Sequence, residues 1–350
     1  MHVHLLVPDL LGPLTSSTPP GELRLPGAEL LFARGRRNRA DVSMESWLKT
    51  RYGLDSPGDA GLATFSLLGE GLPPGPDAWL RADPVHLKVG MDSMMLADSS
   101  LCALDPAEAE ALAGHLNAHF GDRMPLVAAD PHRWYVRTGS PPALQTHALP
   151  EVRGGSIQDC MPEGEDSSHW RALMNEVQMA LHEHPVNEAR ESLGKLPVNS
   201  LWFWGPGTHQ TPEGMPFDLV LADDPLARGL AASTNARAAG LPSDASNWLD
   251  HQALPLSGRV LIVLDALRPL AAYADAPAWS QEAGRLERAW FVPLLAALRA
   301  GKLGMLSLHA CAPGWGSTVE ATRIDLQRFW RRAKPLQRHA QSSDAGSQST

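Results

Sequence analysis

Five short apolar runs in this 350-residue chain end in a residue that can carry charge or turn tightly. Asp9 follows HLLVP, Gly205 follows LWFW, Asp223 and Asp224 follow LVLA, Asp265 follows VLIVL, and His309 follows MLSL. In open α/β sheets ligands gather beyond the carboxyl ends of the strands, so these positions are where chemistry is expected. Carboxylates and an imidazole meeting there would offer oxygen and nitrogen ligands, a set that suits zinc or manganese. Asp is equally favoured as a helix N-cap and in turns, and on residue types alone both readings stand.

A second concentration lies at residues 183–207, EHPVNEARESLGKLPVNSLWFWGPG. Arg190 beside a Gly-rich strand end suits an anionic ligand, and it suits an ion pair as well. Asn187 and Asn199 flank turns and can serve backbone groups there. The tryptophans of LWFW either line a pocket or fill a core. His182 and His184, two apart at a helix end, point away from each other. His2 and His4 share one face if the N-terminus is a strand.

The elements that must position these residues follow from periodicity. Val3 to Val7, Leu201 to Trp204, Leu219 to Leu221, Val260 to Leu264 and Met305 to Leu308 are unbroken apolar runs, expected as buried parallel strands. Helices are expected over residues 226–239, ending before Gly240, and 282–300, with Pro293 disturbing the second. Strands alternating with helices indicate an α/β fold around a mostly parallel sheet flanked by helices. The middle of the chain differs. Asp105, Pro106 and Glu108 form a helix start signal, and Ala109, Leu112, Leu116 and Phe120 form a stripe to cover strands at 86–89, 94–97 and 134–137. A further helix is expected over 168–182. The organisation read from this is a core made of residues 1–78 and 201–333, an inserted α+β domain at 79–200, and a disordered tail at 334–350.

Bulk properties narrow the function. A hydrophobic content of 43% and a charged content of 20% are those of a globular protein, and a net charge of −9 disfavours nucleic acid as a partner. The basic run Arg34 to Arg39 is short enough to be a solvated loop. Cys102, Cys160 and Cys311 are far apart and odd in number, against a disulfide framework. No stretch reaches the roughly 20 apolar residues of a membrane span, and the N-terminus lacks an export signal. A cytoplasmic location without membrane contact is the expectation.

The 183–207 stretch resembles the archaeal-type cofactor-independent phosphoglycerate mutases of the alkaline phosphatase superfamily, whose segment reads roughly HPxNxxRxxxGxxPANxxLxRGxG. His184, Pro185, Asn187, Arg190, Gly194, Pro197, Asn199, Gly205 and Gly207 match it. TFSLLGEGLPPG from Thr64 and the segment from Asp77 to Asp98 are similar to further parts of that family in the same order. The resemblance implies an alkaline-phosphatase-like core interrupted by an inserted domain. It also implies that the stretch is the return from that domain, with Asn187, Arg190, Asn199, Gly205 and Gly207 at a phosphorylated ligand.

The family's enzymes use two metal ions and a serine nucleophile. Residues 57–65 here read PGDAGLATF, so Asp59 or Ala60 stands for the serine and Thr64 for a histidine. Asp9, Asp265 and His309 remain as vestigial metal ligands where the family has a fuller set. Too few ligands for two metals imply a catalytically degenerate protein with a regulatory or binding role. No cofactor is then expected, and the partner is an unknown protein or a small phosphorylated ligand. The chain also resembles proteobacterial regulatory proteins of pathogenicity-factor type, through LERAWFVPLLAALRAGKL and the Phe-Trp-Arg-Arg that ends at Arg332. The alternative is an active metal-dependent phosphomutase or phosphatase, with Mn or Zn at a site reorganised around Asp9, Asp59, Asp265 and His309.

Overall fold

A computed structural model describes residues 1–12, 23–39, 42–90, 94–251, 258–312 and 315–336. They form two compact units, Met1–Gly53 with Glu213–Thr350, and Leu54–Pro212. Strands are numbered along the chain.

The first unit is built on a seven-stranded sheet. Its strands are β1 (His2–Leu6), β2 (Arg36–Arg39), β8 (Leu219–Leu221), β9 (Arg237–Ala239), β10 (Arg259–Val263), β11 (Met305–Ala312) and β12 (Trp315–Ala321). The order is β2-β12-β11-β1-β10-β8-β9, parallel from β11 through β9 and antiparallel at β12 and β2. Side chains alternate across the sheet, which separates two environments. Val3, Leu5, Val260, Ile262, Leu306 and Leu308 enter an apolar core with residues of the helices Pro26–Arg34, Ala276–Leu286 and Val292–Arg299. On the opposite face His4 and His309 meet Trp47 and Phe217, Trp47 coming from the helix Met44–Tyr52. That helix is held at both ends. Ser43 accepts from the Ser46 N–H, and Gly53 closes it at φ +67.

The four apolar runs of this unit are strands as expected, and the second long helical stretch is disturbed at Pro293 as expected, whereas the first is shorter than read. The helix from Pro225 stops at Ser233, where Thr234 and Asn235 turn the chain, and Arg237–Ala239 pairs with β8. Around Pro293 the helix passes through an i→i+5 turn at Glu287–Phe291 before resuming at Val292–Arg299. That wide turn sits immediately ahead of the proline, which has no N–H to give. Of the expected tail, residues 337–350 lie outside the described residues. Leu336 is buried in the core.

The second unit holds β3 (Ala78–Val89), β4 (Met94–Ala97), β5 (Leu126–Asp130), β6 (Arg133–Thr138) and β7 (Ser200–Thr208). The order is β4-β3-β6-β5, with β7 also on β3, and all pairs are antiparallel. The Asp105 capping box forms in full. The stripe Ala109, Leu112, Leu116 and Phe120 is buried on the helix Pro106–Phe120, as are Trp170, Leu173, Met174, Val177 and Leu181 on Ser167–His182.

The run Leu201 to Trp204 corrects the sequence reading, since it pairs antiparallel with β3 and is not a strand of the parallel core sheet. Its unbroken apolar character has another cause. Trp204 lies over the Arg81 guanidinium on one face, and Phe203 meets Trp170 edge-on at 4.9 Å on the other. A strand covered on both faces reads as continuous apolar sequence whichever way it runs. With β7 in this sheet and the helix Leu62–Gly69 packed on it, residues 54–78 and 201–212 group with the second unit.

Candidate functional site

The carboxyl ends of β1, β10 and β8 lie side by side, and each is followed by an Asp. Asp9, after β1, adopts φ +58, a left-handed conformation that Asp tolerates better than most side chains. Its N–H donates to the Cys311 carbonyl at 2.8 Å, and its carbonyl accepts the Trp279 indole N–H at 3.1 Å. Asp224, after β8, caps the helix Pro225–Ser233 by accepting from the Ala227 N–H at 2.8 Å. Burial, reinforced by the charge of Asp265, pushes its pKa up to about 6. Asp223 accepts from the Leu241 N–H and serves the neighbouring loop.

Three residues past Asp265 stands Arg268, a residue the sequence reading did not single out. Its N–H donates to the Asp265 carbonyl at 3.0 Å, placing it one turn past β10. Its guanidinium forms a bidentate pair with Glu45, at 2.9 and 3.1 Å, both side chains being buried. Burial alone would lower the Arg268 pKa, but Glu45, then Asp9 and Asp224, more than reverse it. Cys311, close to the same charges, has its thiol pushed up to about 12 by burial and then by Glu45, so it stays protonated.

His309 belongs to the aromatic face. Its Nε2 lies 3.1 Å from His4 Nδ1 and its Nδ1 lies 3.1 Å from Thr318 Oγ1, so both ring nitrogens are engaged. Burial, followed by the neighbouring His4, holds it well below the usual imidazole range, and burial takes His4 to about 3. Both rings are therefore neutral at physiological pH. Among the described residues no three His, Cys, Asp or Glu side chains come together as metal ligands. Asp9, Asp265 and His309 thus do not fit the metal set that the resemblance implies: no third ligating side chain joins any two of them among the described residues, and both imidazole nitrogens are engaged by His4 and Thr318.

Asp59, in the second unit, is a buried acceptor. Thr146 Oγ1 lies 2.7 and 2.9 Å from its two oxygens, and the Gly205 N–H donates to Oδ2 at 2.9 Å. Burial raises its pKa, and these hydrogen bonds oppose the rise. Thr64 donates to the Gly61 carbonyl at 2.8 Å from a fully buried position. Neither offers a group waiting for substrate.

The 184–207 motif is likewise taken up by the fold. His184 caps the helix Pro185–Ser192. Asn187 donates to the carbonyls of Leu181 and Val198, both at 2.8 Å, and accepts from the Val198 N–H. Arg190, 1% exposed, donates to the carbonyls of Leu196 and Cys102 and pairs with Glu108, the residue that completes the Asp105 capping box. Asn199 pairs with the backbone of Leu87 through both its amide groups, at 2.7 and 2.9 Å. Gly205 and Gly207 let β7 approach the turn before the helix Leu62–Gly69. A Cβ on Gly205 would lie 2.9 Å from the Ala63 nitrogen, and one on Gly207 3.0 Å from Gly61. All five candidate ligand-binding residues therefore have structural tasks.

Residues 60–187 match the family model described as 2,3-bisphosphoglycerate-independent phosphoglycerate mutase. A phosphoglycerate mutase of that name from Methanosarcina acetivorans is 25% identical over 224 residues, 60% of this chain and 55% of that protein. One from Methanothrix thermoacetophila is 30% identical over 123 residues, 33% of this chain and 30% of the other. The chain thus spans about half, or less, of the length of these curated relatives. A Pyrococcus horikoshii protein of solved structure aligns over 91% of this chain and 87% of its own, with a TM-score of 0.52 and 15% identity, a likeness of fold. The family model and the curated relatives support a phosphoglycerate mutase-like family.

Proposed function

We propose that this chain is a catalytically degenerate member of the phosphoglycerate mutase-like family that acts in the cytoplasm as a regulatory, binding protein. The observation that carries the reading is the chemistry of the rim, where Arg268 holds Glu45 and attracts Asp9 and Asp224. A phosphoryl group in transit needs cations free to clamp its oxygens. Here the guanidinium is already spent on carboxylates. Asp59, the residue standing for the nucleophile, is likewise bound by Thr146 and Gly205.

A protein partner is favoured over a small phosphorylated ligand by two features. The residues expected to hold the phosphate are occupied by backbone groups. A surface of the composition found at protein contacts stands elsewhere: Ile324, Phe329 and Trp330 are 74%, 78% and 67% exposed, with Arg323, Arg331, Arg332 and Lys334 also exposed around them. Exposed aromatic and arginine side chains are the types that dominate binding energy, and their charge calls for an acidic partner.

The test is turnover of 3-phosphoglycerate, and of a general phosphatase substrate, by purified protein with added manganese or zinc. No turnover above background is expected. Metal-dependent turnover lost in Asp9→Ala would establish the alternative, an active phosphomutase or phosphatase.

A further inference from the structure

The run Arg34 to Arg39, read from the sequence as a solvated loop, supplies a sheet edge. Arg36–Arg39 is β2, which ends the seven-strand order with β12 on its inner side. No other described strand pairs with it. We infer that β2 is a docking edge for an acidic, extended segment of a partner protein, which adds a strand beside Arg36 and Arg37 and rests against the aromatic segment 323–334. The inference deepens the protein-partner reading above and rests on it.

A strand edge turns half its backbone N–H and C=O groups outward, about four groups on a strand of this length. Another extended polypeptide completes such a row, whereas a nucleic acid carries no matching series of donors and acceptors. Charge selects the partner. Side chains alternate across a strand, so Arg36, 3.4 Å from Glu320, and Arg37, over the Phe32 ring at 5.2 Å, stand on opposite faces. Both are exposed. Acidic side chains on an added strand would meet an arginine on either face, and opposite charges across strands stabilise the pairing. A second copy of β2 would bring arginines together and be repelled. At physiological salt a charge is felt over about 8 Å, so an approaching segment responds to these cations and not to the net −9.

Two contacts make β2 continuous with the segment that follows β12. The Arg34 guanidinium donates to the Leu326 carbonyl, and Arg328 donates back to the Arg34 carbonyl at 3.3 Å. Beyond this joint Phe329 and Trp330 stand exposed with Arg331, Arg332 and Lys334, while Asp325 is paired to Arg328. Charge alone would protect a bare edge from aggregation. Exposed aromatic side chains work against such protection, so their place next to the edge fits binding.

The probe is a labelled peptide of alternating Glu and Thr ending in Trp, titrated into the full chain at low and at physiological salt. Binding should saturate, weaken as salt rises, and protect the outward amides of β2 from hydrogen exchange. A peptide with Pro for Thr keeps the charge but loses every second N–H, and one with Lys for Glu reverses the charge. Each should bind about tenfold more weakly or not at all. Arg36→Gln combined with Arg37→Gln, and separately Trp330→Ala, should each weaken the Glu-Thr peptide by roughly tenfold, with melting curves to check folding. If the double variant does not fold, the wild-type exchange pattern and the Pro peptide decide.

No binding at low salt, equal binding of the Pro peptide, or outward β2 amides that stay unprotected overturns the inference. So do amides already slow before peptide is added, self-association through β2, or tighter binding of duplex DNA than of the peptide. Loss in Trp330→Ala with none in the arginine variant also overturns it, yet leaves an acidic partner at the aromatic surface standing. Metal-dependent turnover of 3-phosphoglycerate would sink the degenerate reading and leave the docking edge in place.

Discussion

Arg190 ties three places together with one guanidinium, and removing it takes this donor from two carbonyls and the charged partner from Glu108, which keeps only the neutral Asp105 N–H of its capping box. Arg190→Met should therefore cost about 3–5 kcal/mol in urea denaturation, the range for breaking a buried pair from one side. Arg190→Lys should recover little of it, since an ammonium cannot reach the three acceptors in the plane that the fork provides. Asp224 gives a contrasting case. Its folded pKa of about 6 lies above the ordinary carboxylate value, so the folded state carries a penalty for the charged form above pH 6. The penalty is relieved as pH falls towards 4. Asp224→Asn retains a capping side chain and should be more stable than wild type by about 1–3 kcal/mol at pH 8, the gap closing by pH 4 in parallel denaturation curves. At this scale the residue types at the strand ends were readable in the sequence, but their partners were not. Glu45 and Arg268 are more than 200 positions apart, and nothing in SMESW announces that its Glu faces DALRP.

At the scale of elements, Gly205 of β7 set against Gly75, in the turn before β3, separates lack of room from backbone strain. Gly205 sits at φ +69 with no space for a Cβ, whereas Gly75 has a similar φ of +62 and nothing within 4 Å. Gly75→Ala should cost about 1 kcal/mol, the strain alone. Gly205→Ala must also push the strand off the turn at Ala63, and its cost in chemical denaturation should exceed that of Gly75→Ala at least twofold. Equal costs would mean that β7 has slack at this point. Most elements were open to reading because each carries its own period or cap. The capping box at Asp105 is local, and the stripe on Ser167–His182 repeats within one helix. The direction of β7 was not open to reading. Burial on both faces erases the alternation that would mark an antiparallel strand, and its pairing is set by β3, over a hundred residues earlier.

For the whole molecule, the charge map is uneven. The chain carries −9, yet residues 323–334 hold Arg323, Arg328, Arg331, Arg332 and Lys334 against Asp325 alone. The base of this segment is fastened: Leu326 and Leu336 are buried, and Arg328 pairs with Asp325 at 2.9 Å. Trp330 is presented from a firm footing and contributes little to the fold. Trp330→Ala should move stability by no more than about 0.5 kcal/mol, whereas Trp202→Ala, which empties a buried site on β7, should cost about 3–5 kcal/mol. A large loss from Trp330→Ala would show that the segment belongs to the core and not to a binding surface. No helix among the described residues is long and apolar enough to cross a membrane.

Because the side chains from His184 to Gly207 spend themselves on caps, carbonyls and close backbone contacts, any chain that needs this carpentry will preserve them whether or not it turns over a substrate. Kinship inferred from that stretch therefore certifies joinery and says nothing of labour.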